Sequence, residues 1–244
     1  MSVYRKFTSL VLAFALLALA GCSGLFGALN GVKGSGTPAT TEYDFTDFDE
    51  VSIESAFVGT VTRGDAYHVT VTVDDNLVDS LNVRQEGDRV TIGFEQPTML
   101  SNADLSFEIT LPALSALEVS GASRVELAGF ASGDAFNVEA SGASRVEGDI
   151  DSGDVDAHAS GASSITLLGQ GGNLTAEASG ASTIDLSGFT TVDASVNASG
   201  ASTIIVSTTG RLDAEASGAS NVRYLGQPTL GNIDGSGGSS IEAQ

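Results

Sequence analysis

From about residue 113 onward, apolar and polar positions alternate strictly along the chain, and the alternation is punctuated by one recurring tetrapeptide. Ser-Gly-Ala-Ser begins at Ser120, Ser141, Ser160, Ser179, Ser199 and Ser217, and a degenerate Ser236-Gly237-Gly238-Ser239 closes the series. Successive offsets are 21, 19, 19, 20, 18 and 19 residues. The residues three and one before each motif are small and apolar: Leu117/Val119, Val138/Ala140, Ala157/Ala159, Ala176/Ala178, Val196/Ala198 and Ala214/Ala216. The same parity after the motif gives Val125/Leu127, Ile165/Leu167, Ile184/Leu186 and Ile204/Val206. The other parity is mostly polar. Period-2 alternation with β-branched residues on one face is the signature of a strand, and no stretch carries an apolar stripe at helical spacing.

A repeat of about 20 residues built from strands predicts a solenoid: an all-β fold in which each repeat is one coil of a parallel β-helix, stacked on the next at about 4.8 Å. One coil cannot bury its apolar face alone, so neighbours must stack. The alanine-rich column before the motif predicts a narrow core there, and the Val/Ile/Leu column after it a wider one. The motif glycine marks a bend where a side chain would clash or positive φ is needed. The serines are expected to stack as hydroxyl ladders. That structural account of the tetrapeptide suffices for seven copies.

Upstream, residues 42–112 are β-rich but irregular. Val51-Ser52-Ile53, His68-Val69-Thr70-Val71-Thr72-Val73, Arg89-Val90-Thr91-Ile92 and Leu105-Ser106-Phe107-Glu108-Ile109 alternate, with turns expected at Gly64-Asp65 and Gly87-Asp88. Asp74-Asp75-Asn76-Leu77-Val78-Asp79-Ser80-Leu81 reads as a short helical or irregular excursion. Terminal solenoid coils are atypical because they cover an open end, so 42–244 is expected to be one domain: the irregular half 42–112, then the repeats 113–244. Tyr43, Phe45, Phe48, Phe57, Phe94 and Phe107 place the thickest core in the irregular half.

Residues 1–22 read as a lipoprotein signal peptide. Arg5 and Lys6 supply the charged start, and residues 10–20 form an apolar run of 11, too short to span a bilayer. Leu19-Ala20-Gly21-Cys22 then resembles a lipobox, so lipidation is expected at Cys22, the only cysteine of the chain. A single cysteine excludes a disulfide framework and a cysteine-based metal site. Residues 23–41, small and almost uncharged, read as a flexible tether. The expected location is the cell envelope, outside the cytoplasm and anchored to the membrane through Cys22. In a host with two membranes, Ser23 after the cysteine favours the outer one.

Charge narrows the partners. The chain carries 10 Lys+Arg against 31 Asp+Glu, and removal of residues 1–22 takes Arg5 and Lys6 and no acids, so the mature charge is 8 − 31 = −23. Such a surface repels nucleic acid and anionic lipid headgroups. Its simplest account is a solubilising coat; the sharper one is binding of a cation or a basic partner. The outward column before the motif reads Glu118, Glu139, His158, Glu177, Asn197, Glu215, Asp234. Carboxylates stacked at about 4.8 Å repel by about 0.9 kcal/mol per pair even in water. Glu118, Glu139, Glu215 and Asp234 are therefore the candidate metal ligands, hard oxygens suited to Ca²⁺, set against the reading of a mixed-charge solvent face. A second cluster, Asp149, Asp151, Asp154 and Asp156, reads as a polar turn. No other cofactor is expected.

Catalytic signals are scarce. His68 and His158 lie far apart in sequence with no nucleophile motif nearby, and no Gly-x-Ser-x-Gly elbow occurs. Arg124 and Arg145 recur on one face beside Glu126 and Glu147, where salt bridges are expected.

Several passages carry a family resemblance: Tyr43-Asp44-Phe45 followed by Val51, the turn at Arg63-Gly64-Asp65, Val73-Asp74-Asp75-Asn76-Leu77, and Ile109-Thr110-Leu111-Pro112-Ala113-Leu114 leading into Leu117-Glu118-Val119-Ser120-Gly121-Ala122-Ser123. Together they resemble the "putative autotransporter adhesin, head GIN domain" family over roughly residues 43–240. The resemblance implies a right-handed β-helical fold on an exported, often lipid-anchored protein, and brings no catalytic residues with it. The expectation is a non-enzymatic adhesive or structural envelope module that binds a surface polysaccharide or a protein. The alternative is an envelope carbohydrate-processing enzyme, a polysaccharide lyase or hydrolase working in an acidic groove.

Overall fold

Each Ser-Gly-Ala-Ser sits at the corner between two strands of different sheets, and this corner sets the shape of the whole molecule. A computed structural model describes residues 31–95 and 99–244. In the coil around Gly180, Leu174–Ala178 runs into the corner and Thr183–Thr191 leaves it. The first strand pairs in parallel with Val155–Ala159 and Ala194–Ala198, the second with Ser164–Gln170 and Thr203–Thr208. Repeating this arrangement gives a β-solenoid of stacked parallel coils. Among the described residues the two main sheets have ten and eleven strands.

The alternation becomes inside and outside as the pattern predicts. Ala157, Ala159, Ala176, Ala178, Ile165, Leu167, Ile184 and Leu186 are all buried between the sheets. Each fully buried Ile or Leu stabilises by about 1.5–3 kcal/mol. Phe136 and Phe189, inside the repeats, are as buried as Phe48, Phe57 and Phe107 in the irregular half. The aromatic core thus extends further than composition suggested. Phe57 and Phe94 stack with ring centroids 5.7 Å apart.

The corner has its own construction. The motif glycines take φ of 72–75°, and each motif alanine from Ala143 onward donates its N–H to the glycine carbonyl one coil earlier, as Ala181 does to Gly161 at 2.7 Å. The motif's second serine turns inward: Ser182 Oγ shares its one proton between the Ala159 carbonyl one coil back (3.0 Å) and its own coil's Ser179 carbonyl (2.9 Å). The expected serine-to-serine ladder is therefore replaced by hydroxyl-to-carbonyl bonds that reach one coil back. The reason is satisfaction: a buried hydroxyl facing backbone oxygens is best used on them.

The irregular half enters the same two sheets, but out of chain order. Glu50–Ile53 and Val58–Arg63 pair in parallel with Ala116–Val119 and Arg124–Ala131, while the later strands Arg89–Phe94 and Leu105–Leu111 lie on their far side. Antiparallel strands finish that end: Leu81–Glu86 on one sheet, His68–Asp74 and Pro38–Tyr43 on the other. Asp75–Ser80 forms a 3-10 turn.

Part of the expected tether is corrected by this arrangement. Pro38–Tyr43 is a six-residue edge strand, and Val32–Lys33 pairs with Leu100–Ser101. Proline at the first position of an edge strand removes no needed donor. The buried Asp74 carboxylate holds the approach to this strand by accepting from the Gly36 N–H (2.9 Å) and the Asp104 N–H (3.1 Å). Cys22, the expected signal peptide and residues 23–30 lie outside the described residues.

Candidate functional site

Two outer faces present side chains in rows that cross the coils, because the register never slips at the positions flanking the corner. On the ten-stranded sheet, Glu118, Glu139, His158, Glu177, Asn197, Glu215 and Asp234 occupy one continuous row, the one expected from the alternation. Its members do not act as one set. Glu118 is engaged by Arg89, whose Nη1 lies 2.9 Å away while its Nε holds Glu50 at 2.9 Å. The Glu50 hydrogen bond raises Arg89 above its ordinary value. His158 Nδ1 lies 3.5 Å from Glu177 Oε2, with both side chains open to solvent.

Glu139, His158, Glu177 and Asn197 border a shallow groove of about 500 Å³, with the alanines and serines of three corners along its side. Glu215 and Asp234 are cross-strand neighbours at the far end of the row. Among the described residues, no three acidic or histidine side chains converge in an arrangement that could hold a metal ion. The calcium candidates are thus brought into register as pairs, with no third oxygen donor from the same residue classes.

The Asp149–Asp156 cluster is distributed around the second corner. Asp151 Oδ1 accepts from the Gln170 N–H (3.1 Å) and Asp154 Oδ1 from the Asn173 N–H (2.8 Å), each tying one coil to the next, while Asp156 faces outward on its strand. Asp193 and Asp213 repeat the device, accepting from the N–H of Arg211 (2.7 Å) and Asn232 (2.6 Å). Asp213 also receives a two-pronged bond from Arg211, Nε and Nη2 both at 2.7 Å. This hydrogen bond from Arg211, foremost, lowers the Asp213 carboxyl to about 2.

On the eleven-stranded sheet the row nearest the corner reads Val58, Arg124, Arg145, Ser164, Thr183, Thr203, Asn221, Ser240. Beside it run Thr60, Glu126, Glu147, Thr166, Asp185, Ile205, Arg223 and Glu242. The expected salt bridge forms between Arg145 and Glu147 at 3.1 Å. Its counterpart between Arg124 and Glu126 does not form. The alternation alone located this row, yet which arginine would be paired depended on side-chain directions that the pattern does not carry.

Among the described residues no helix is long and apolar enough to cross a membrane. Stacked parallel coils with long, in-register polar outer faces define the class: a β-solenoid that exposes extended surfaces. The chain belongs to the family described as "Putative auto-transporter adhesin, head GIN domain", whose sequence profile matches residues 47–228. Comparison with curated proteins returns no match. Among solved structures, a "putative adhesin" from Bacteroides fragilis is similar, with a TM-score of 0.82 at 17% identity, over 88% of this chain and 100% of that one. A "putative lipid binding protein" from Parabacteroides distasonis reaches 0.69 at 20% identity, covering 87% and 99%. A "putative adhesin" from Parabacteroides merdae reaches 0.63 at 17%, covering 87% and 98%. At these identities the likeness is one of fold.

Proposed function

We propose that this protein is a lipid-anchored module of the cell envelope that binds a surface polymer or another protein through its flat strand faces, without catalysis. Membership in an adhesin family supports a surface location and a binding role. The observation that carries the reading is the unbroken register of the outer rows: a side chain recurs at each coil, about 4.8 Å apart, over the whole length of the repeats. A surface of that kind suits a long, repetitive or extended partner better than a compact small molecule.

Two measurements test it. Intact envelope material and a glycan array are offered to the full chain, beside a turnover assay on the same polysaccharides. Binding without cleavage is the expected result. Turnover that disappears when Glu139 or Glu177 is changed to glutamine would replace this reading with an enzymatic one. Anchoring is tested separately: Cys22→Ser should abolish lipid labelling and release the protein from the membrane fraction, and unchanged partition refutes the anchor.

A further inference from the structure

The two arginines Arg124 and Arg145 stand out in a folded part whose only cations are seven arginines and Lys33. They are direct cross-strand neighbours on the outer face of the eleven-stranded sheet. Two like charges about 4.8 Å apart repel by about 0.9 kcal/mol even in water, so the juxtaposition costs something unless an anion shares it. Glu147 neutralises Arg145 only in part: the contact is monodentate, and both side chains are about half exposed, 49% and 48%. Arg124 forms no ion pair among the described residues, whereas Arg84, Arg89, Arg145 and Arg211 each do.

The pair opens on a recess of about 270 Å³ at the corner side of the strands. Its walls are the two arginines, Ser164, the exposed Val58 and the motif alanines Ala122, Ala143 and Ala162, and no carboxylate lines it. Guanidinium groups present planar, paired donors that match a carboxylate or sulfate. Alanine methyls and the Val58 side chain offer a low apolar floor of the sort on which the C–H face of a sugar ring can rest. From Ser164 the same row continues without charge through Thr183, Thr203, Asn221 and Ser240, one polar side chain per coil, with Ser240 Oγ donating to Asn221 Oδ1 (2.8 Å). The coil spacing is comparable to one ring of an extended sugar chain.

We infer that this strip binds a linear acidic glycan along the solenoid axis, with a carboxylate- or sulfate-bearing sugar held between Arg124 and Arg145 and the following sugars on the hydroxyl and amide row. The inference rests on the surface-binding reading above and names its ligand class. The protein's overall negative charge disfavours a polyanion at long range, but at about 0.15 M salt that field is screened within roughly 8 Å. Glu126, Glu147 and Asp185 in the neighbouring row stand about 7 Å from the strip, inside that distance, so the acidic groups of the bound sugars must face the corner side, where no carboxylate lines the recess and the short charge-assisted bonds decide.

The test uses the full chain in neutral detergent at physiological salt, with polygalacturonate, dextran sulfate and uncharged dextran as probes. At least one of the two polyanions should bind tighter than dextran, and which of them does so separates carboxylate from sulfate recognition. Arg124→Gln and Arg145→Gln should each weaken that binding by about tenfold or more, the size of one lost charge-assisted hydrogen bond. Arg223→Gln, which removes the same charge from the neighbouring row, should leave it nearly unchanged. Equal losses in all three variants, or equal binding of dextran, overturn the inference. So does arginine-dependent binding to phosphatidylglycerol vesicles with no binding to either polyanion. If Arg124→Gln and Arg145→Gln still bind envelope material as the parent does, the strip is not the site and the surface-binding reading stands. If the parent binds neither the polymers nor the envelope, both fall.

Discussion

Gly180 lies directly over Gly161: a Cβ on the first would stand 2.6 Å from the carbonyl oxygen of the second. The same contact recurs at Gly161 over Gly142 and at Gly218 over Gly200, both also 2.6 Å. The close approach is what lets the Ala181 N–H reach the Gly161 carbonyl at 2.7 Å. The glycine is therefore required twice, for a φ of +75° and for the space.

Gly180→Ala should destabilise by more than the left-handed φ alone costs, because the obstructing atom is backbone and a whole coil must move. Gly87 supplies the control, with φ of +61° and nothing within 4 Å of its added Cβ. Gly87→Ala should cost about 1 kcal/mol and Gly180→Ala upwards of about 2 kcal/mol. Denaturant melts of the two variants decide it, and equal losses would mean that the stacked corner is not sterically limiting.

The face assignment is tested one residue apart. Ile184 is fully buried, and its neighbour Thr183 faces outward in the row between Ser164 and Thr203. Ile184→Asp places an unpaired carboxylate in the core and should cost roughly 4 kcal/mol or more, while Thr183→Asp stays below about 1 kcal/mol. Matching melting temperatures would contradict the inside-outside pattern.

Acid should expose the Arg211–Asp213 tie. Its folded-state pKa is lowered from 3.8 to about 2. A depressed carboxyl stabilises the fold above its unfolded value and loses that contribution as the pH falls toward its folded value. The melting-temperature gap between the parent and Asp213→Asn should be constant near neutrality and should close between about pH 4 and pH 2. A gap that stays constant through that window would show that the carboxylate charge contributes nothing there. The Asp213 side chain is partly exposed, at 35%, so salt should also narrow the gap.

How far the sequence disclosed all this depends on whether a residue's surroundings repeat. Ile165, Ile184 and Ile204 sit in equivalent positions of successive coils, so period, faces and register could be read from the alternation without knowing any contact. The end of the solenoid has no such redundancy. Glu50–Ile53 had to be placed between Ala116–Val119 and the later Arg89–Phe94, an order set by long-range pairing that no local signal reports. Residues 38–41 looked like linker because an edge strand needs only backbone partners, and the side chains that hold its approach, Asp74 and Asn76, lie more than 30 residues away. On the outer faces the acidic row was legible by parity, yet Glu118 was claimed by Arg89 from a strand two places away, beyond Glu50–Ile53, whose position could not be read locally.

The buried serines allow a final test of how the coils are joined. Ser182 Oγ reaches back to the Ala159 carbonyl, which already accepts from the Ser179 N–H at 2.9 Å. Removing the hydroxyl leaves that carbonyl with a partner, and the other acceptor, the Ser179 carbonyl, belongs to an exposed residue, so Ser182→Ala should cost only about 1 kcal/mol. Ser202 makes the equivalent bond to Ala178 one coil later. The two hydroxyls donate to different carbonyls and not to each other, so the losses in Ser182→Ala and Ser202→Ala should add in the double variant, to within about 0.5 kcal/mol. A serine-to-serine ladder predicts otherwise: removing the second member of a broken chain would cost less than removing it from an intact one. Urea melts of the two single variants and the double variant distinguish these outcomes. A coupling beyond about 0.5 kcal/mol would show that the hydroxyls act as a connected string along the solenoid axis.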